Sequence, residues 1–184
     1  MNANKTKMIV FSGTAVALAT VTATYLQLGR FIWPNGGEIT LFSMMIICMV
    51  GYWYGPSVGI ASAVTFGVLR FILQPFFVHP LQVLLDYPLA FGALGISGFF
   101  SNKKNGLLLG YIAGVLGRLF FSSLSGVIFY TTYVPDIKEN LIAIWGSIFY
   151  NISYIAVESI LTIILLCIPP VRNAMAEVKR LALS

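Results

Sequence analysis

The chain has 184 residues, of which 58% are hydrophobic and only 9% are charged, and it carries 11 Lys and Arg residues against 6 Asp and Glu residues. Its mean hydropathy of +0.89 excludes an ordinary soluble domain and predicts an all-α integral membrane protein. A spanning helix needs roughly 20 apolar residues, so the chain has room for about six spans. We therefore expect one membrane domain over residues 1–184 and no separate soluble domain.

Six apolar stretches, separated by Pro, Gly or charged residues, predict a six-transmembrane-helix bundle. Their approximate bounds are 8–29, 39–54, 57–74, 80–101, 106–130 and 141–168. In the first stretch, Ala15 and Ala19 lie four positions apart, which places them on one helix face where another helix can approach closely. The spacing alone favours packing inside the bundle over docking of a partner protein.

The polar segment at residues 30–40, RFIWPNGGEIT, interrupts the apolar pattern after the first stretch. A Trp suits a membrane interface, and the Pro, Asn and paired glycines are typical of an ordered loop. We expect a surface loop that serves as a lid. Its candidate residues are Trp33, Asn35, Gly36, Gly37 and Glu38.

Basic residues outside the predicted spans are distributed unequally between the two membrane sides. Arg30 lies in the loop at residues 30–40, and Lys138 lies in a second polar loop, TTYVPDIKEN, at residues 131–140. The other basic residues outside the spans lie on the side of the termini. Because basic residues concentrate on the cytoplasmic side, both termini are predicted to be cytoplasmic. This distribution also explains the cationic excess without nucleic acid as a partner.

The fourth span carries Asp86 in an apolar stretch, where a carboxylate is costly and usually functional. At ~1.5 Å per helical residue, Asp86 lies ~9 Å below the outer end of its span, and Arg118 lies roughly 12 Å below the outer face. Other polar and aromatic residues of the same outer layer are Tyr87, Ser122, Ser125, Trp145, Tyr150, Asn151 and Tyr154. This layer below two polar loops predicts a pocket loaded from outside.

Structural explanations of these residues remain open. Asp86 and Arg118 can neutralise each other as a buried ion pair, and the aromatic residues can belong to interface belts. Glu158 lies deeper in the sixth span, and we expect it to bond across helices in a structural role. A lone His79 without ligand-type neighbours is a poor metal ligand, so no metal site is predicted.

Two common chemistries are excluded by their missing motifs. The sequence contains neither a phosphate-binding G-x-x-x-x-G-K-[ST] loop nor an H-E-x-x-H zinc motif. We therefore predict neither an enzyme nor a resident cofactor. What remains is binding and translocation, and a carboxylate with aromatic and amide neighbours suits a cationic heteroaromatic solute.

Four segments resemble the thiamine-specific S component of energy-coupling factor (ECF) vitamin transporters, which is their substrate-binding membrane subunit. In chain order they read PNGGEITLFSMM, HPLQVLLDYPLAFGALGISG, LSGVIFY and IFYNISY. The resemblance implies a six-helix subunit of a bacterial cell membrane that binds thiamine for uptake. It also implies a coupling membrane protein and two cytosolic ATPase subunits as partners. Alternatives are an S component for a related aromatic vitamin or pyrimidine precursor, or a membrane scaffold.

The resemblance implies roles for particular residues. Asp86 would engage the aminopyrimidine ring with help from Tyr87, and Asn151 would add polar contacts. The loop at residues 35–40 would cover the site as a lid. The complete set of candidate substrate-binding residues is Asp86, Tyr87, Arg118, Ser122, Tyr130, Trp145, Tyr150 and Asn151.

This sequence also departs from the family pattern at two candidate positions. Ser122 stands where many family members carry a histidine, and Tyr130 stands where some carry a tryptophan. Trp145 is a neighbouring aromatic residue that can compensate for the missing imidazole. The resemblance further implies that the coupling protein docks on the helix face formed by Ala15 and Ala19.

Overall fold

The fold is built almost entirely from helices. The computed structural model describes residues 3–28, 37–133 and 140–184. The helices are α1 (Ala3–Tyr25), α2 (Ser43–Tyr54), α3 (Pro56–Leu73), α4 (Pro80–Phe100), α5 (Gly106–Tyr133), α6 (Asn140–Cys167) and α7 (Pro169–Leu183). Two short strands, β1 (Gln27–Leu28) and β2 (Ile39–Thr40), lie between α1 and α2.

Five of the helices in the described ranges are long and apolar enough to cross a membrane, namely α1, α3, α4, α5 and α6. The apolar helix α2 has only 12 residues. At ~1.5 Å per residue it extends ~18 Å, which is short of a ~30 Å hydrocarbon core. The all-helical membrane class is therefore confirmed, whereas the count of six spans and the cytoplasmic termini stay predictions.

Helix α2 owes its apolar sequence to burial inside the bundle. Met44, Ile47, Cys48 and Val50 are fully buried, and α2 contacts α1, α3, α4 and α5. A helix that is apolar all round is typical of a membrane span and equally of a helix enclosed by protein. Hydropathy alone therefore did not reveal how short α2 is.

Helix α4 has the predicted extent and an irregular backbone. It begins as α-helix at Pro80–Leu84, passes through a π-helical turn at Leu85–Leu89, and ends as a 3₁₀-helix at Ala93–Phe100. Pro88 lies inside the π turn, where it has no backbone N–H to donate to the helical ladder. The π turn carries Asp86, and such turns frequently occur at functional sites.

The small residues of α1 face the interior of this chain. Ala15 is 5% exposed and Ala19 is fully buried, and α1 packs against α2 and α3. Gly13 and Ala17, on a different face of the helix, are exposed. The burial supports the packing alternative for Ala15 and Ala19, and their role in docking a partner protein stays a prediction.

The strands join the two ends of the segment predicted to be a loop. Gln27 pairs with Thr40, and Leu28 pairs with Ile39, in an antiparallel ladder. This pairing was not predicted, because a strand of two residues has no detectable periodicity. The candidate lid residues Trp33, Asn35 and Gly36 lie outside the described residues.

Helix α7 follows the predicted sixth span and is amphipathic. Ala182 is buried, and Met175 and Val178 pack against the core, so an apolar stripe recurs every three or four residues. The Tyr54 hydroxyl donates a hydrogen bond to the Ala182 carbonyl at 3.0 Å. Lys179 Nζ donates to the Ser101 carbonyl at 2.6 Å, and desolvation lowers the pKa of Lys179. The spacing of Met175, Val178 and Ala182, which is visible in the sequence, is typical of an amphipathic helix.

Candidate ligand-binding site

Asp86 lies half-buried in the π turn of α4, with hydrogen-bond donors from two elements. Gln82, one turn earlier and itself buried, donates from Nε2 to Asp86 Oδ2 at 3.1 Å. The Ser125 hydroxyl on α5 is a second donor group near this carboxylate. A carboxylate offers about four lone-pair positions, so these two donors leave acceptor capacity for a ligand.

Arg118 lies in the core of the bundle without a direct bond to Asp86. It is 7% exposed, and its guanidinium carbon lies 4.4 Å from the centre of the Phe91 ring. In the described part of the chain, the ion pairs within 4.0 Å are Arg70 with Glu38 and Arg180 with Glu177. The alternative in which Asp86 and Arg118 form a closed ion pair is therefore not supported.

Asn151 joins α5 and α6 at the level of Ser122. Its Nδ2 atom donates to the Ser122 carbonyl at 3.3 Å and to the Ser147 carbonyl at 3.0 Å. Its Oδ1 atom accepts a hydrogen bond from the Tyr154 hydroxyl at 2.7 Å. The structure thus brings Asn151, Ser122 and Tyr154 together next to the Asp86–Ser125 contact, and the Asn151 amide is already engaged within the chain.

Two predicted aromatic residues hold segments of backbone near the site. The Tyr87 hydroxyl accepts from the Phe76 N–H at 3.0 Å and lies 3.2 Å from the Gln74 carbonyl, so it fixes the connection between α3 and α4. The Tyr150 hydroxyl accepts from the Gly37 N–H at 2.9 Å. Tyr150 therefore ties the described end of the candidate lid to α6.

Trp145 does not join the other candidate residues. It is 56% exposed, as is its neighbour Phe149 at 65%, and the two rings lie 6.1 Å apart on the outer surface of α6. Ser147 and Asn151 face α5 instead, because two positions along a helix correspond to roughly 200° of rotation. An interface location fits the exposure of Trp145, and its contribution to the binding site stays a prediction. The side chain of Tyr130 lies outside those that the structure describes.

Glu158 bonds across the bundle, although its hydrogen-bonding partner lies in the strand β2 and not in another helix. Its Oε2 atom accepts hydrogen bonds from both the Thr40 N–H and the Thr40 hydroxyl at 3.0 Å. Glu158 is only 2% exposed. The carboxylate therefore fixes the end of β2, just before α2 begins.

Arg70 is the centre of a buried network that the sequence had not revealed. It forms an ion pair with Glu38 and donates to the Ala23 carbonyl at 3.0 Å and to Gln74 Oε1 at 2.8 Å. Gln27 Nε2 donates to the same Gln74 oxygen at 2.8 Å. The network joins α1, α3 and the residue before β2. An arginine inside a predicted span requires a partner, so the position of Arg70 in the sequence already indicated a buried polar contact.

Removal of Arg70 should destabilise the protein because it leaves the Glu38 carboxylate buried and unpaired. We expect Arg70→Leu to reduce the free energy of unfolding by roughly 3 kcal/mol. Thermal unfolding in detergent would measure the change. The control is Arg180→Leu, which breaks an ion pair whose side chains are 75% and 51% exposed and should cost less than about 1 kcal/mol. Equal effects of the two substitutions would contradict a structural role for the Arg70 network.

The chemistry of the site is that of polar recognition. It combines a partly satisfied carboxylate, a buried guanidinium, hydroxyls and an amide in a layer between α4, α5 and α6. Among the described residues, no group of three or more His, Cys, Asp or Glu side chains is placed to hold a metal ion. Together with the membrane-length helices, these features define a membrane-embedded binding protein.

The chain is similar in sequence and in fold to known proteins of one family. The family described as Thiamine transporter protein (Thia_YuaJ) matches residues 9–177. The chain is 28% identical over 179 residues to the thiamine transporter ThiT of Bacillus subtilis (strain 168), a match that covers 88% of this chain and 87% of the relative. A solved structure of ThiT from Listeria monocytogenes shares the fold with a TM-score of 0.64 at 21% identity, over 89% of this chain and 94% of that one.

The chain therefore belongs to the thiamine transporter family. This confirms the resemblance that the DYPLAF segment and its flanks indicated. It also agrees with the prediction of a transport protein rather than an enzyme, because both the family and the relative are named for transport.

Proposed function

We propose that this chain binds thiamine and delivers it across the cell membrane of a bacterium as the S component of an ATP-driven ECF transporter. The observation that carries the proposal is the family match over residues 9–177, in a chain whose membrane-embedded layer presents a carboxylate with free acceptor capacity. The exocyclic amino group of an aminopyrimidine donates hydrogen bonds, and the thiazolium ring of thiamine is a cation, so both groups suit a partly desolvated carboxylate.

In this proposal, Asp86 accepts hydrogen bonds from the aminopyrimidine ring. Tyr87 supports it indirectly, since its hydroxyl fixes residues 74–76 beside the site. Asn151 and Ser122 hold α5 against α6 and present the polar wall of the pocket. Tyr150 anchors Gly37, so the preceding residues, with Trp33 and Asn35 among them, are proposed to cover the ligand.

The transport cycle requires partners that supply energy. The chain has no phosphate-binding G-x-x-x-x-G-K-[ST] loop, so we propose that a coupling membrane protein and two cytosolic ATPases drive the movement of the S component. Both termini are proposed to face the cytoplasm, with α2 as the sixth and shortest helix of the bundle. We also propose that the coupling membrane protein docks on α1, the helix that carries the buried residues Ala15 and Ala19.

Binding of thiamine by the isolated chain is the first prediction of this proposal. We expect isothermal titration calorimetry of the purified protein in detergent to give a Kd below about 1 μM, which corresponds to more than about 8 kcal/mol of binding free energy. Riboflavin and pyridoxine should not compete, because neither presents an aminopyrimidine ring. Hydroxymethylpyrimidine should compete only weakly, since it lacks the thiazolium ring.

Three outcomes would separate the alternatives. Stronger binding of hydroxymethylpyrimidine than of thiamine would identify a precursor transporter, which the serine at position 122 in place of a histidine would then explain. Preferential binding of another vitamin would assign a related S component. The absence of binding and of any ligand-dependent thermal shift would favour a scaffold and overturn the proposal.

A further inference from the structure

Glu158 lies directly below the proposed site on the same face of α6. Asn151, Tyr154 and Glu158 follow one another at spacings of three and four residues, so their side chains lie above one another. Thr40 occupies only one oxygen of the Glu158 carboxylate. The other oxygen, Oε1, is buried without a hydrogen-bond partner.

Arg118 lies on α5, which packs against both α4, the helix of Asp86, and α6, the helix of Glu158. On α5, Ser125, Ser122 and Arg118 share one face at spacings of three and four residues. The Arg118 guanidinium lies over the ring of Phe91, which follows Asp86 by five residues on α4, so Arg118 lies inward of Asp86, whereas Glu158 follows Asn151 by two turns on α6. Arg118 acts electrostatically on both carboxylates, and its Nη1 atom has no hydrogen-bond partner.

The charges of this layer do not cancel when both carboxyl groups are ionised. Asp86 and Glu158 then carry two negative charges, and the guanidinium of Arg118, which lies over the Phe91 ring, carries one positive charge, which leaves one unit of negative charge. The other buried ion pair in the described part of the chain, Arg70 with Glu38, adds no net charge. An uncompensated charge at this depth is costly, so a ligand that neutralises it is favoured.

We propose that Glu158 is a specificity-determining residue, which selects a solute with one positive charge. Its charge offsets that of Arg118, so the charge of Asp86 is left for a cationic ligand to neutralise, in agreement with the lack of an Asp86–Arg118 ion pair within 4.0 Å among the described residues. Without Glu158, Asp86 and Arg118 would balance each other in the empty site. This inference rests on the proposed function, because thiamine carries one permanent positive charge on its thiazolium ring.

The test compares thiamine with a neutral ligand of the same shape. In 3-deazathiamine an uncharged thiophene ring replaces the thiazolium ring. Glu158→Gln keeps a side-chain oxygen that can accept both bonds from Thr40, removes the charge, and replaces the unpartnered Oε1 by an amide NH2 group. We expect this variant to bind thiamine about tenfold more weakly and to bind the neutral analogue with unchanged affinity, so the ratio of the two Kd values changes about tenfold.

Glu158→Asp is the matched control, since it keeps the charge and should retain most of the preference for the cation. A purely structural role for Glu158 predicts that Glu158→Gln weakens both ligands by the same factor, and that result would overturn the inference. If Glu158→Gln is not recovered as folded protein, Arg118→Gln provides the opposite test. It should increase the preference for the cation about tenfold, and an unchanged preference would overturn the inference as well.

The failure of this inference is distinguishable from the failure of the proposed function. Wild-type protein that binds thiamine, with a cation preference that Glu158→Gln leaves intact, would refute the role of Glu158 alone. Wild-type protein that binds neither ligand would refute the proposed function and, with it, the inference.

Discussion

Asp86→Asn should weaken thiamine binding ten- to hundredfold, which corresponds to a loss of about 1.4 to 2.8 kcal/mol of binding free energy. The substitution preserves the size of the side chain, and the Asn oxygen can still accept the hydrogen bond from Gln82. What it removes is the negative charge that strengthens hydrogen bonds to the ligand. Titration calorimetry on the wild type and the variant would measure the difference.

The matched control for Asp86→Asn is Glu177→Gln, the same acid-to-amide change on α7. Glu177 is 51% exposed and pairs with Arg180, so we expect no measurable change in affinity. Thermal unfolding of the ligand-free Asp86→Asn variant should show that the fold is retained, because a neutral amide is less costly than a carboxylate inside a membrane. Undiminished affinity in Asp86→Asn would remove Asp86 from the binding site.

Gly95→Ala should abolish or severely reduce the yield of folded protein. A β-carbon at this position would lie far inside van der Waals contact with backbone atoms of Gly59 and Ile60. Backbone atoms cannot rotate away as a side chain can, so α3 and the 3₁₀ part of α4 would have to separate. Overpacking of a core usually costs about 1–3 kcal/mol, and a clash with backbone should exceed this range. Size-exclusion profiles and thermal unfolding would detect the loss.

Gly13→Ala is the control for the same chemical change in an open position. A β-carbon at Gly13 would meet no atom within 4 Å, and alanine favours a helix over glycine by about 1 kcal/mol. We therefore expect equal or slightly higher thermal stability. If Gly95→Ala were as stable as Gly13→Ala, the close approach of α3 and α4 would be contradicted.

The candidate site was predictable where charge and helix spacing determine position. A carboxylate and a guanidinium in apolar stretches must face the protein interior, and the rise of ~1.5 Å per helical residue predicted that Asp86 and Arg118 lie in the outer half of the bundle. Spacings of three and four residues then brought Ser122 and Ser125 to the same face as Arg118. The structure also joins Asn151 to Ser122, as their similar predicted depths suggested.

Other features depend on tertiary contacts that the sequence does not encode locally. From the sequence alone, Trp145 and Ser147 are both plausible pocket residues. Only the packing of α5 against α6 determines which of the two side chains faces the interior. Thr40 was placed in an outer loop and Glu158 deeper in a span, yet a hydrogen bond of 3.0 Å joins them. The reason is that α2 is short and begins inside the bundle, so β2 approaches the middle of α6.

The central claim, that this chain holds thiamine in its membrane domain, is tested most directly by native mass spectrometry of the purified protein. The protein should be expressed in medium containing thiamine and released from detergent in the gas phase. We predict one additional species whose mass increment equals that of a single thiamine cation, and we expect its abundance to fall sharply in Asp86→Asn. A wild-type protein that stays free of thiamine when the vitamin is added in excess, or that carries a different small molecule, would contradict the account.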